Sequence, residues 1–426
     1  MTTIRRLFIL SWFLILLITG CAPAPTNSNT TVSTQPSPSP SASTSPSPAT
    51  TTDTASVQIT LPLLDALLTD DKFVARVKKD LKLNDQKVEE LKTVSGSAVA
   101  RLRESNTEDL DDNDATDAPA RAEEQLRSVL GEEKARDLTK LANEYWSKGD
   151  ASEASNDNLQ MLKGPNAVPT DTRVVVNIPA FRMDVFQDGS LVKSYKVGIG
   201  YPQFPLPLGL RRAQQIIFNP TWTPPDSPWV AKMKNVAPGE TVEAGDKDNP
   251  LGPIKIPIGL PSLIHGGKSP AKIGKFASHG CVGLTNAQIQ DFAKLLGQAS
   301  NTPDVPTKMA TYLEDKEKTQ TVKLNQTVPV ELRYETIVIE DGKLHIYRDV
   351  YAQDTNTEEN LRRVLEANGM KLEDLSEQQR TQILSALNSK PKKEVVIALG
   401  TVAQKGYPAP VDLDTGTGKK PANKRT

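Results

Sequence analysis

Between Ile264 and Leu284 the chain reads IHGGKSPAKIGKFASHGCVGL, and its glycines leave the backbone free to turn tightly around three reactive side chains. These are two of the three histidines, His265 and His279, and Cys281, the only cysteine outside the N-terminal leader. A thiol attacks a carbonyl only as thiolate and is mostly protonated at neutral pH unless an imidazole or a helix N-terminus lowers its pKa. Both aids are legible. His265 stands sixteen positions upstream. Downstream, TNAQIQDFAKLLG puts Ile289, Phe292, Ala293 and Leu296 on one helical face, with Thr285 and Gln288 as a capping box and Gly297 as a stop. Cys281 is therefore expected in the loop just before a helix N-terminus, where free N–H groups and the dipole favour a thiolate and a tetrahedral oxyanion. Ser278, His279 and Gly280 would line that pocket, and His279 suits orienting the loop as well as moving a proton. The chemistry expected is acyl transfer through a thioester; a lone cysteine without this company reads as a small buried hydrophobe.

Around this stretch the patterning changes several times. From Val168, RVVVNI and FRMDVFQDGSLVKSYKVGIG alternate with period two about a hairpin turn at Asp188 and Gly189. Proline and glycine then punctuate short strands up to the cysteine, which predicts a β-rich domain over 168–336 with one principal helix. Trp222 and Trp229 are candidates for a cleft lining or for rim packing. Residues 337–406 read as a strand pair turning at Asp341 and Gly342, then short helices at Leu361–Ala367 and Glu377–Leu387. His345 on that pair has no cysteine or carboxylate at useful spacing and reads as a surface or packing residue. Residues 407–426, ending KKPANKRT, are expected to form a disordered basic tail.

The N-terminal part is built otherwise. Arg5 and Arg6 precede an apolar run from Leu7 to Ile18 and small residues before Cys21, the pattern of a secretory signal over 1–20 that is too short to span a bilayer comfortably. The run ending at Cys21 resembles a lipobox, which implies cleavage before Cys21 and a lipid anchor on it. Residues 21–56 are nearly all Pro, Ser, Thr, Ala and Asn. Such a segment cannot bury enough apolar surface to offset its ordering entropy and serves as a tether, reaching on the order of 100 Å at about 3 Å per residue. Residues 57–162 are predicted to form a separate helical region of unassigned role. Val74, Val77 and Leu81 share a face; Asn84 caps a second helix with Val88, Leu91, Ala98 and Leu102; Leu126, Val129, Leu130, Leu138, Leu141 and Tyr145 mark a third. The acidic link Glu108–Asp117 is expected to be a solvated loop, without the glycine and terminal glutamate of an EF-hand.

The spacing of His265, Ser278, His279, Gly280 and Cys281 resembles the signature of the L,D-transpeptidase catalytic domain, also called YkuD, of bacterial cell-wall enzymes. The resemblance extends through PLPLG at 205–209, NPTWTPP at 219–225 and NPLGP at 249–253, covering roughly 169–336. It implies a β-sandwich-like fold, Cys281 as nucleophile and His265 as proton donor and acceptor, its imidazole oriented by the backbone near Gly266. It further implies an oxyanion and substrate loop at Ser278, His279 and Gly280, and inactivation by carbapenem-type β-lactams at the same thiol. One position departs: Gly283 stands where the family usually has arginine or asparagine, and no arginine occurs from Ala213 to Leu332. A cationic contact is therefore lost or moved, to Lys268, Lys272 or Lys275.

The partners implied are peptidoglycan stem peptides, with a neighbouring stem amine or a wall-anchored protein as acceptor, and a membrane through the lipid on Cys21. Two alternatives stand beside transpeptidation: an L,D-carboxypeptidase or hydrolase using the same residues, and an inactive wall-binding lipoprotein. The location implied is the cell envelope, facing the periplasm, and the outer membrane in a two-membrane host. Net charge of -1 gives no argument for nucleic acid. No phosphate loop, dinucleotide fingerprint or zinc-ligand cluster is legible, so no cofactor is expected. With one cysteine lipidated and the other catalytic, no intramolecular disulfide is expected.

Overall fold

The computed structural model describes residues 59–104, 112–148, 160–224, 230, 235–237, 239–259, 262–400 and 406–417. The leader, Cys21, the tether and Trp229 lie outside them. Among the described residues five helices come first: α1 (Leu61–Leu68), α2 (Asp71–Asp80), α3 (Asp85–Glu104), α4 (Asp112–Leu130) and α5 (Glu132–Lys148). Side chains cap the first three, with Thr60 accepting from Leu63 N, Asp70 from Lys72 N and Asn84 from Lys87 N, each such cap contributing about 1 kcal/mol. Gly131, at φ +78°, separates α4 from α5. The acidic run is corrected in part: 112–117 opens α4 rather than lying in a loop. Residues 105–111 lie outside the description.

The central sheet has eight strands in the order β3-β2-β1-β10-β5-β6-β7-β9. They are β1 (Arg173–Asn177), β2 (Arg182–Gln187), β3 (Ser190–Lys196), β5 (Gly209–Phe218), β6 (Ile254–Pro257), β7 (Leu263–His265), β9 (Val282–Gly283) and β10 (Gln320–Arg333). A separate parallel pair joins β4 (Ile199–Gly200) to β8 (Phe276–Ser278). The hairpin between β2 and β3 turns through Asp188 at φ 48° and Gly189 at φ 79°, the two positive φ values that a two-residue turn of matching twist requires. Two helices follow, α6 (Asn286–Ala299) and α7 (Val305–Tyr312). α6 carries the expected capping box and buries Ile289, Phe292, Ala293 and Leu296 completely. Gly297 does not stop it. A Cβ there would lie 2.7 Å from Val305 Cβ, so the glycine permits close packing of α7 while α6 runs on to Ala299. The helical region docks here: α5 contacts β5, Thr60 Oγ1 donates to Gln203 O at 2.7 Å, and the apolar cores of helices and sheet are continuous.

The C-terminal part holds three strands, β11 (Ile337–Glu340), β12 (Lys343–Ile346) and β13 (Val395–Ala398), with α8 (Glu358–Ala367) and α9 (Glu377–Asn388). It has its own core of Ile337, Ile339, Leu344, Leu361, Leu365, Ile383 and neighbours. The strand pair is therefore a triplet, and β13 brings the carboxylate partner that His345 lacks nearby in sequence: Glu394 Oε1 lies 2.6 Å from His345 Nδ1. The disordered tail is also corrected. Tyr407 is buried against Phe186, and Val411 and Asp414 bond the backbone of Ser194 and Lys196, so 406–417 straps the free edge of β3. Paired backbone and a buried aromatic outweigh the polar composition that suggested disorder. Residues 418–426 lie outside the description.

Candidate active site

The site forms where β7 and β9 run side by side. Their parallel register pairs Ile264 with Val282 and His265 with Gly283. Paired residues of neighbouring strands project to the same face, and so do residues two apart along one strand. Cys281 immediately precedes β9, and its thiol is reached by the backbone of Leu263, two residues before His265. The sixteen-residue separation is thus closed by strand pairing.

Each reactive group is held by local bonds. Ser278 Oγ donates to Cys281 O at 2.5 Å and accepts from Cys281 N at 3.1 Å, pinning the Cys281 backbone from both sides. Gly280, at φ +92°, makes the turn, and its carbonyl accepts from Ser262 Oγ at 2.8 Å. His265 is buried, and its Nδ1 lies 2.7 Å from Gly266 O. Since a carbonyl only accepts, Nδ1 carries the proton and Nε2 is left as the basic nitrogen. Gly266 has no room for a side chain: a Cβ would lie 2.8 Å from Ile289 Cγ2. His279 is ringed by Phe204 at 4.7 Å and Tyr201 at 5.5 Å between ring centroids, a setting that fixes the loop.

The electrostatics describe a neutral pair at rest. Burial pushes His265 down to about 3, reinforced by the positive charge of Lys268 and opposed by the carbonyls of Gly266 and Leu251. Burial and Lys268 bring His279 down to about 3 as well. Cys281 is half-buried at the surface but densely surrounded, and this raises its thiol pKa; Leu263 backbone and Lys268 pull the other way. The two residues of β9 stand between Cys281 and the cap of α6, and the Asn286 side chain at the start of that helix accepts from Gly267 N. Lys268 supplies the positive charge. Its aliphatic stem lies over Gly283, where a Cβ would come within 2.8 Å of Lys268 Cγ and 2.9 Å of Cε.

The flanking motifs support this frame. The turn of NPLGP lies backbone to backbone on the glycine pair after His265: a Cβ on Gly252 would be 2.4 Å from Gly267 N. Asn249 Nδ2 ties that turn to Pro220 O of NPTWTPP at 2.7 Å. Trp222, half-buried, bridges to Val242. Sequence reasoning missed Ser262, Tyr201 and Phe204, which carry no local signal, and left Lys268 as one of three lysines.

Residues 171–322 match the family model described as the L,D-transpeptidase catalytic domain, YkuD. Similar solved structures include the catalytic domain of the E. faecium L,D-transpeptidase, with 18% identity, 39% of this chain and 100% of that chain covered, and a TM-score of 0.25. An L,D-transpeptidase from Mycobacterium smegmatis has 16% identity, 38% and 58% coverage and a TM-score of 0.23. The Ldtfm–avibactam carbamoyl enzyme has 16% identity, 38% coverage of this chain, 49% of its own length and a TM-score of 0.23, so the likeness spans about half of that relative. No curated protein matches the chain. The chain contains, at residues 171–322, an L,D-transpeptidase catalytic domain of the YkuD family.

Proposed function

We propose that the protein is a peptidoglycan L,D-transpeptidase that works through a thioester on Cys281. The observation that carries the reading is the β7–β9 register, which sets His265, with Nδ1 committed to Gly266 O, beside the nucleophile strand. His265 Nε2 takes the thiol proton, and the thiolate attacks the carbonyl between the third and fourth residues of a stem tetrapeptide. The N–H of Gly280 at the turn is suited to the oxyanion, since Cys281 N–H is already engaged by Ser278. As the C–N bond breaks, the imidazolium returns its proton to the departing D-residue amine. An acceptor amine then attacks the thioester, gives a proton to Nε2 and releases the sulfur. A stem amine yields a 3-3 cross-link; a protein lysine yields a wall-anchored protein. Lys268 lowers the cost of forming the thiolate at a site where burial raises it. Carbapenem-type β-lactams acylate the same sulfur. The lipobox-like Cys21 and the Pro/Ser/Thr segment support an exported, lipid-anchored protein of the cell envelope that reaches the wall from the membrane.

The deciding experiment incubates the protein and its Cys281→Ala variant with disaccharide-tetrapeptide and weighs the products. A dimer short of one terminal D-residue, absent with Cys281→Ala, is the expected result. A tripeptide monomer alone replaces transpeptidation by carboxypeptidase action, and no Cys281-dependent product leaves a wall-binding role.

A further inference from the structure

A groove of about 710 Å³ runs between the loop that precedes Cys281 and the C-terminal sheet. One side contributes Lys196, Lys272 and Lys275, the other Arg348, Lys392 and Lys393, against one carboxylate, Glu394. In a chain of net charge -1, six cations facing one space are a marked local concentration. Glu394 is also turned toward His345 at 2.6 Å. Like charges gathered along a low-dielectric cleft repel one another and focus a field that draws in anions. The wall between them is aromatic: the Arg348 guanidinium lies 5.7 Å from the centre of the Phe276 ring, and the rings of Phe276 and Tyr201 are 6.3 Å apart.

The groove lies beside the strand that leads into the Cys281 loop. Phe276 opens β8, whose last residue, Ser278, pins Cys281; Tyr201 touches the groove on one side and the His279 ring on the other. We propose that this groove binds a carboxylate-bearing peptidoglycan stem peptide, its free carboxylates held by lysines of both walls, so that the C-terminal part supplies half of a substrate site. The proposal rests on the functional reading above and extends it to residues outside 171–322. The aromatic wall and the adjacency of β8 to the Cys281 loop favour a reacting peptide over a polyphosphate, which binds through charge alone.

The test separates binding from chemistry. In the full chain carrying Cys281→Ala, affinity for disaccharide-tetrapeptide is measured by calorimetry at two salt concentrations, with and without Lys392→Glu/Lys393→Glu. These lysines are exposed and remote in sequence from the reacting groups. The expected result is at least about tenfold weaker binding and a flatter salt dependence in the charge-reversed protein. A ligand with its carboxylates amidated should bind weakly and equally to both. Lys196→Glu, on the opposite wall, should reproduce the loss, and an unchanged thermal midpoint with unchanged iodoacetamide alkylation of native Cys281 shows that the fold and nucleophile are intact. Equal affinity for the stem in the reversed and parent proteins overturns the proposal, as does equal affinity of the parent for the amidated ligand. So does lysine-dependent binding of polyphosphate without binding of the stem. If stem binding depends on the lysines but no dimer forms with native Cys281, the groove stands and the transpeptidase reading falls; if dimers form without that dependence, the reverse holds.

Discussion

The stem of Lys268 lies over Gly283, and its charge bears on the Cys281 thiol. Burial raises the Cys281 pKa, and the Lys268 charge works against it; Lys268→Met keeps the stem over Gly283 and removes only the charge. The sign follows directly: without the cation the thiolate is less favoured, so the alkylation profile moves to higher pH, and the rate at pH 7 falls about tenfold for every pH unit it moves. A pH profile of iodoacetamide alkylation for parent and variant checks this, and an unmoved profile removes Lys268 from the account. His265, held down to about 3, stays neutral across this range, so the acid limb of Cys281 acylation by a β-lactam should lie well below 6.5. At this scale the candidate thiol and histidine could be named from sequence because the chain offers so few candidates. The source of the positive charge could not be: spacing alone does not tell which lysine folds back over Gly283.

Loops and turns decide how firmly the histidine is held. Gly267 has φ +80°, and a Cβ there would lie 2.3 Å from Pro250 O. Gly267→Ala therefore forces apart two backbones that cradle His265 and strains a left-handed residue as well. The expected outcome is a loss of at least about 2 kcal/mol in a urea titration together with slower Cys281 acylation; parent-like values in both would mean that the two turns yield freely. Elements whose geometry is written in a few adjacent residues were legible: the Asp188–Gly189 and Asp341–Gly342 turns, the capping box of α6, and the helix cap at Asn84. Elements that depend on distant partners were not. β13 has little alternation of its own and exists by pairing with β12, and the 406–417 strap exists by pairing with β3. Gly297 looked like a stop because a glycine inside a helix is costly, yet α7 needs the room.

Across the whole molecule, the continuity of helical and sheet cores could not be seen in sequence, since periodicity identifies an apolar face but not what covers it. Buried charge is distributed unevenly through this joined core. Arg173 and Arg333 share Glu331, and Arg182 lies between Asp184 and Glu340, so those guanidinium groups are compensated. Arg211 on β5 differs: it is 2% exposed, and none of its three guanidinium nitrogens has a hydrogen-bond partner among the described residues. Burial alone lowers its pKa to about 10, which leaves it a cation at neutral pH. A buried cation without partners costs more than an apolar chain of similar length in the same place. Arg211→Met is therefore expected to stabilise the protein by about 1–4 kcal/mol, seen as a higher denaturant midpoint at unchanged slope. Destabilisation would mean that the guanidinium is satisfied by groups beyond the described residues, and Arg211→Lys then separates the two cases: a compensated charge tolerates a second cation better than it tolerates methionine.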